Sequence, residues 1–211
     1  MLRHQNSVKE KTSMVKRLSL TLIGALFLAI SASAQVETYQ IDPAHSAAQF
    51  SVRHMGISTV RGAFTKVTGT VQYDPSDPTK SSIDATIDAN SIDTRVEMRD
   101  KDLKGPNYFD VAKYPTLTFK SKKVESAGTG KLKITGDLTI HGATKEVVLQ
   151  VEGPNGPIKD PKGNSHLGAA ATTQISRKDF GVSGGAGMVG DDITITLDIE
   201  MVKPATAPAA K

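Results

Sequence analysis

The sequence predicts an all-β protein of eight antiparallel strands with one short helix, and three observations carry that prediction. Apolar residues recur at every second position through successive runs of the chain, the period of a strand with one buried face. Clusters of Gly, Pro, Asn and Asp separate the runs, as at Asp74-Pro75-Ser76-Asp77-Pro78 and Asp160-Pro161-Lys162-Gly163-Asn164. A helical signature interrupts the pattern only once.

The first segment stands apart from the fold. Lys16 and Arg17 precede an apolar run over 18–30, and Ala32-Ser33-Ala34 supplies a small-x-small site, so residues 1–34 are expected to be a signal peptide cleaved after Ala34. The run is shorter than the roughly 20 residues a membrane span needs. Met14 lies just before the basic pair, which makes 1–13 a candidate upstream extension with a misassigned start.

Alternation begins near Tyr39. Ala48, Phe50, Val52 and His54 share one parity, and Val67, Gly69, Val71 and Tyr73 follow in a segment that starts near Val60. Ile83, Ala85, Ile87 and Ala89 alternate with Asp84, Thr86 and Asp88, which gives a strand with one wet face. Thr94 with Glu97 three residues on has the form of a capping box, and Gly105-Pro106 closes the segment, so a helix is expected over 95–104. Beyond it, 107–114 is a loop whose Tyr108, Phe109 and Tyr114 are placed to fold back over an opening.

Leu117 and Phe119 mark the next strand, over 116–124. Leu132, Ile134, Leu138 and Ile140 then alternate up to His141-Gly142-Ala143, after which Val147, Leu149 and Val151 resume, the pattern of a hairpin with a glycine turn. Gly153-Pro154-Asn155-Gly156-Pro157 reads as another turn. Leu167, Ala169, Ala171, Thr173 and Ile175 form one more strand, and Ile193, Ile195, Leu197, Ile199 and Met201 the last. The Ala/Pro tail, 204–211, is expected to be disordered. Eight strands joined by short turns can close into a barrel, which removes exposed edges, or stack as a two-sheet sandwich; periodicity does not choose between them.

Composition excludes several classes of function. Residues 1–34 hold five of the 26 bases and one of the 22 acids, so the remaining chain carries 21 of each and its basic excess vanishes. That argues against nucleic acid as a partner. There is no cysteine, so an exported chain must stand on its core without disulfides. Residues 35–203 are long enough for one such core, and no break in composition divides them.

Two catalytic-looking patterns overlap in 181–190, GVSGGAGMVG. A nucleophile elbow at Ser183 requires a helix after it and a later histidine, and none follows His166; the dinucleotide fingerprint must open a helix, and a strand is expected there instead. The histidines show no metal-ligand spacing, so no metal site is expected, and no catalytic residue is assigned. Arg177-Lys178-Asp179, with Arg53 and Arg61, offers cations for an anionic group, while His141 sits at a turn.

An ordered set of motifs points further: His45-Ser46, Phe50-Ser51-Val52-Arg53-His54, Val60-Arg61-Gly62-Ala63-Phe64, Ser91-Ile92-Asp93-Thr94, Arg99-Asp100-Lys101-Asp102-Leu103-Lys104, Tyr108-Phe109-Asp110, Tyr114-Pro115, Gly136-Asp137-Leu138-Thr139-Ile140-His141-Gly142 and Arg177-Lys178-Asp179-Phe180-Gly181-Val182. Spanning 39–202, the set resembles the YceI-like family. The resemblance implies a lipocalin-like eight-stranded barrel in the bacterial periplasm that binds polyisoprenoid or similar amphiphilic lipids, forms a homodimer, meets membranes transiently and has no established catalytic chemistry. It implies no cofactor beyond a bound isoprenoid or quinone-like lipid. On that reading Phe50, Val52, Phe64, Ile87, Leu117, Phe119, Ile134 and Leu138 face an apolar lumen, and Arg53, Arg61, His141 and Arg177 form a polar rim. One departure is the small-residue stretch 165–173, SHLGAAATT, from which a wider lumen or a different ligand is expected.

Overall fold

The computed structural model describes residues 35–205. The expected signal peptide, and the tail beyond Ala205, lie outside the described residues. Eleven strand segments build one antiparallel sheet that closes on itself: β1 (Glu37–Ile41), β2 (Ala47–His54), β3 (Ser58–Phe64), β4 (Val67–Tyr73), β5 (Ser82–Asp88), β6 (Ile92–Asp93), β7 (Thr116–Ser126), β8 (Lys131–Ile140), β9 (Ala143–Lys159), β10 (Ser165–Ser176) and β11 (Val189–Lys203). Helix α1 (Glu97–Lys104) falls between β6 and β7.

These segments make the eight strands of a closed barrel because three of the strands are each broken once. β1 and β2 lie end to end along β11, with Ile41 opposite Met201 and Ala48 opposite Leu197. β4 and β3 continue the same division one strand over, and β5 and β6 repeat it. At the breaks the backbone groups find substitutes for the ladder: Asp42 N donates to Glu200 O at 2.9 Å, Asp88 N to Lys66 O at 3.0 Å and Lys66 N to the Ser91 hydroxyl at 3.1 Å. Buried backbone groups are rarely left unpaired, so the strands bend here without opening the wall.

The β8–β9 hairpin forms as its alternation dictates. Ile134 faces Leu149 and Leu132 faces Val151, while Ile140 pairs with Ala143 directly across a two-residue turn. His141 and Gly142 both have positive φ, 51° and 77°, the geometry of the primed turns whose twist suits a hairpin. Ala143 therefore belongs to the strand, one residue earlier than the sequence suggests.

Three local expectations are corrected. The Gly-Pro pairs at 153–157 do not reverse the chain; β9 runs on to Lys159 against β10, with a register shift on each side of the pairing of Gly168 with Asn155. Proline lacks an amide donor but is tolerated at bulges. The capping box does not form either: the helix starts at Glu97 after Val96, which makes no side-chain cap. Thr94 is buried, and its hydroxyl and amide instead donate to the Asp100 carboxylate, while Arg99 reaches back to the Thr94 hydroxyl and carbonyl, both at 2.8 Å. Finally, β11 starts at Val189, several residues before the apolar run that marks it.

Register defines two ends. The polar end holds the start of β1, the turn between β9 and β10, and the end of β11. The loop end holds the β2–β3 hairpin tip, the His141-Gly142 turn and residues 177–188. No ladder joins β6 to β7 at the loop end, and residues 94–115 occupy that stretch of wall. There Leu103, Tyr108, Phe109 and Val111 pack against the interior, and the rings of Phe64 and Phe109 meet edge to face at 5.3 Å.

Candidate functional site: an apolar lumen

Inward-facing residues of all eight strands surround a cavity of about 260 Å³. A single water needs on the order of 10–15 Å³ of such space, so this is a chamber and not a packing defect. All eight residues assigned to the lumen from the sequence, Phe50, Val52, Phe64, Ile87, Leu117, Phe119, Ile134 and Leu138, line it. Tyr108 and Phe109 of the 107–114 loop also reach it, together with Phe180 and Val182.

The lumen keeps its room because some wall positions are small. On β10, Ala169, Ala171 and Thr173 line the cavity between Leu167 and Ile175. Elsewhere two aromatic rings lie over glycines: a Cβ on Gly62 would meet Phe50 Cζ at 2.6 Å, and one on Gly136 would meet Phe119 Cζ at 2.5 Å. Any side chain there would push its ring into the chamber. The alternating stripe Ile193, Ile195, Leu197, Ile199 and Met201 completes the wall; sequence reasoning recognised it as a strand but not as lumen, although its period was the clearest signal available.

The expected rim is more scattered than its residues suggested. Arg53 is exposed and donates to Gly56 O at 2.6 Å and to the Thr59 hydroxyl at 2.9 Å, bracing the hairpin tip. Arg61 is exposed on β3 and pairs in register with Ser51. His141 packs against Tyr114, ring centroids 4.7 Å apart. Of the four, Arg177 alone is among the residues that line the cavity, but it is 5 % exposed and its guanidinium donates to the carbonyls of Val182, Gly184, Val189 and Gly190 at 2.6–3.0 Å. It folds the glycine loop instead of presenting a free cation. Ser183 lies in that loop after a short helical turn at 177–180, and β11 follows, so neither the elbow nor the fingerprint has its required helix.

A group of ionisable side chains occupies the outside of the polar end. His45 Nδ1 lies 2.7 Å from Asp42 Oδ2, His166 Nδ1 lies 2.8 Å from Glu200 Oε1, and His166 Nε2 lies 3.3 Å from Asp160 Oδ2. Hydrogen bonds donated to Glu200 and then to Asp160 raise the His166 pKa, and the bond to Asp42 raises that of His45. His45 in turn lowers Asp42. Burial works against ionising Asp160, but Asn164 and His166 outweigh it and hold its pKa down. Asp42, His45 and Glu200 each bring a ligand-type atom within 4.8 Å of the others. No spacing in the chain signals this cluster, because its members come from the β1–β2 break and from β11.

A closed eight-stranded antiparallel barrel around an apolar chamber belongs to the class of small β-barrels, whose interior is either filled by side chains or wide enough for one small ligand. The chain is a member of the YceI-like domain family, whose model matches residues 39–201. A UPF0312 protein of Vibrio cholerae is 39% identical over 160 residues, covering 75% of this chain and 84% of its own. Among solved structures, BcnA of Burkholderia cenocepacia superposes with a TM-score of 0.68 at 28% identity, over 79% of this chain and 99% of that one. A polyisoprenoid binding domain from Saccharophagus degradans shares the fold, with a TM-score of 0.59 at 14% identity, over 81% and 100% of the two chains.

Proposed function

We propose that this protein is a periplasmic, non-enzymatic carrier that sequesters a long-chain isoprenoid or a similar amphiphilic lipid, including quinone-like ones, inside its barrel. The observation that carries the reading is the apolar chamber, reached by side chains from every strand of the wall. The fold shared with a polyisoprenoid binding domain supports the same class of ligand, and the signal-peptide pattern of 1–34 supports export.

Burial alone supplies the affinity. At about 0.8 kcal/mol per methylene, one five-carbon isoprene unit contributes on the order of 3 to 4 kcal/mol before the costs of association. Three or four units then reach micromolar binding or better. A headgroup needs only polar neighbours at one end, and Arg53, Arg61 and His141 are the candidates at the loop end. Lipid loading brings the protein to a membrane transiently, and a homodimer is the proposed assembly.

The test is organic extraction of protein purified from its native compartment, followed by mass spectrometry. Stoichiometric recovery of an isoprenoid or related lipid is the predicted result. Folded protein that yields no lipid and takes up no isoprenoid or fatty-acyl probe contradicts the proposal.

A further inference from the structure

Large apolar side chains left on the surface are unevenly distributed. Met55, Ile57 and Met188 are 59%, 80% and 55% exposed and sit together at the loop end. The first two form the tip of the β2–β3 hairpin. Met188 precedes β11, and its carbonyl accepts from Met55 N at 2.6 Å, so the tip and the end of the glycine loop form one unit. Burying such side chains is favourable wherever an apolar phase is offered.

The tip is also basic. No carboxylate occurs between Asp42 and Asp74, whereas Arg53, His54 and Arg61 fall within that stretch. Arg53 and Arg61 are exposed on the outer face of the hairpin, opposite in parity to the lumen residues Phe50 and Val52. Asp191, on the neighbouring strand, is occupied by Lys178 at 2.8 Å. Asp192 is exposed on the same strand, yet neither Arg53 nor Arg61 forms an ion pair among the described residues. An apolar tip flanked by two such arginines matches an anionic lipid surface, where apolar insertion and charge attraction act together. Three side chains expose only a few hundred Å², well under the roughly 800 Å² per partner of a stable protein interface.

The tip is continuous with the chamber. Val52 lines it on β2 and Val189, next to Met188, lines it on β11. We infer that the Met55-Gly56-Ile57 tip with Met188, flanked by Arg53 and Arg61, is the surface by which this barrel docks on an anionic bilayer. The purpose of docking rests on the carrier reading; the docking itself does not.

Flotation of the full chain with vesicles of phosphatidylglycerol and phosphatidylcholine, against phosphatidylcholine alone, tests this. Wild type should float with the anionic vesicles, and the M55S/I57S variant should lose ten-fold or more of the bound fraction. Arg61→Gln should lose about five-fold at low salt and nothing on neutral vesicles, as expected for about 1 kcal/mol per arginine near a charged surface. Ile158→Ser, which removes an apolar side chain 71% exposed on β9, should float like wild type. Uptake of a water-soluble short isoprenoid probe should be unchanged in M55S/I57S, which separates failure of docking from failure of the chamber. Absence of wild-type flotation, equal flotation of M55S/I57S, or a dimer that falls to monomer in M55S/I57S while vesicle binding persists would each overturn the inference.

Discussion

At the polar end, Tyr39 is fully buried with its hydroxyl 2.9 Å from Glu37 Oε2 and 3.2 Å from the Ser165 hydroxyl, and Lys203 pairs with Glu37 at 2.7 Å. At the loop end, one buried guanidinium gathers four carbonyls of a glycine-rich segment, and 94–115 stands where a strand-to-strand ladder would otherwise close the wall. The first end is tied by side chains from several strands across the β1–β2 break and the β9 bulges; the second depends on a few groups that hold two long stretches without a ladder, 94–115 and 177–188. Regions with fewer regular ladders open locally at lower cost. The contrast makes the loop end, beside the apolar hairpin tip, the end of the barrel that opens more easily, and the proposed carrier function would use it as the ligand's route.

The comparison is broken most severely at Arg177. Arg177→Met leaves four carbonyls without donors and should cost about 3–5 kcal/mol, lowering the Tm by on the order of 10 °C for a domain of this size. Calorimetry measures this directly. Tyr39→Phe, at the other end, removes one hydroxyl between two polar partners and should cost about 1–2 kcal/mol. If the two variants lose equal stability, the asymmetry between the ends is wrong.

A smaller effect sharpens the polar end. His166 and His45 have folded-state pKa values above the ordinary 6.5, raised by Glu200 with Asp160 and by Asp42, so their contribution is complete below 6.5 and fades as pH rises through the raised values. Asp42 and Asp160 are held below 3.8, so theirs is complete above 3.8 and is lost as pH falls through the lowered values. This network should therefore be firmest between pH 3.8 and 6.5. Hydrogen exchange at Ile41 and Met201 should slow in that window, and the H45N/H166Q variant should flatten the alkaline limb.

What was legible in the sequence is what period two can encode. The β8–β9 hairpin and the β11 stripe are strands whose buried face repeats at every second position, whereas the assignment of eight residues to a lumen needed the YceI-like motifs as well. The breaks at 42–46, 65–66 and 89–91 were not legible, because they depend on bonds between residues such as Asp42 and Glu200. The burial of Arg177 was not legible for a related reason: an arginine beside Lys178 and Asp179 looks like surface, and only the folded glycine loop shows the carbonyls it serves. The Gly-Pro pairs at 153–157 carried a strong turn signal, yet the strand on β10 absorbed them as bulges.

The central claim, that the chamber itself holds the lipid, is tested most directly by titrating a fluorescent isoprenoid probe into wild type and into Ala171→Phe. Ala171 is 8 % exposed and lines the cavity on its small-residue strand, so the ring occupies the space a ligand would take. Micromolar binding by wild type and at least a ten-fold loss in Ala171→Phe, with the fold intact by circular dichroism, is the predicted result. Unchanged affinity in a folded Ala171→Phe protein would contradict the account.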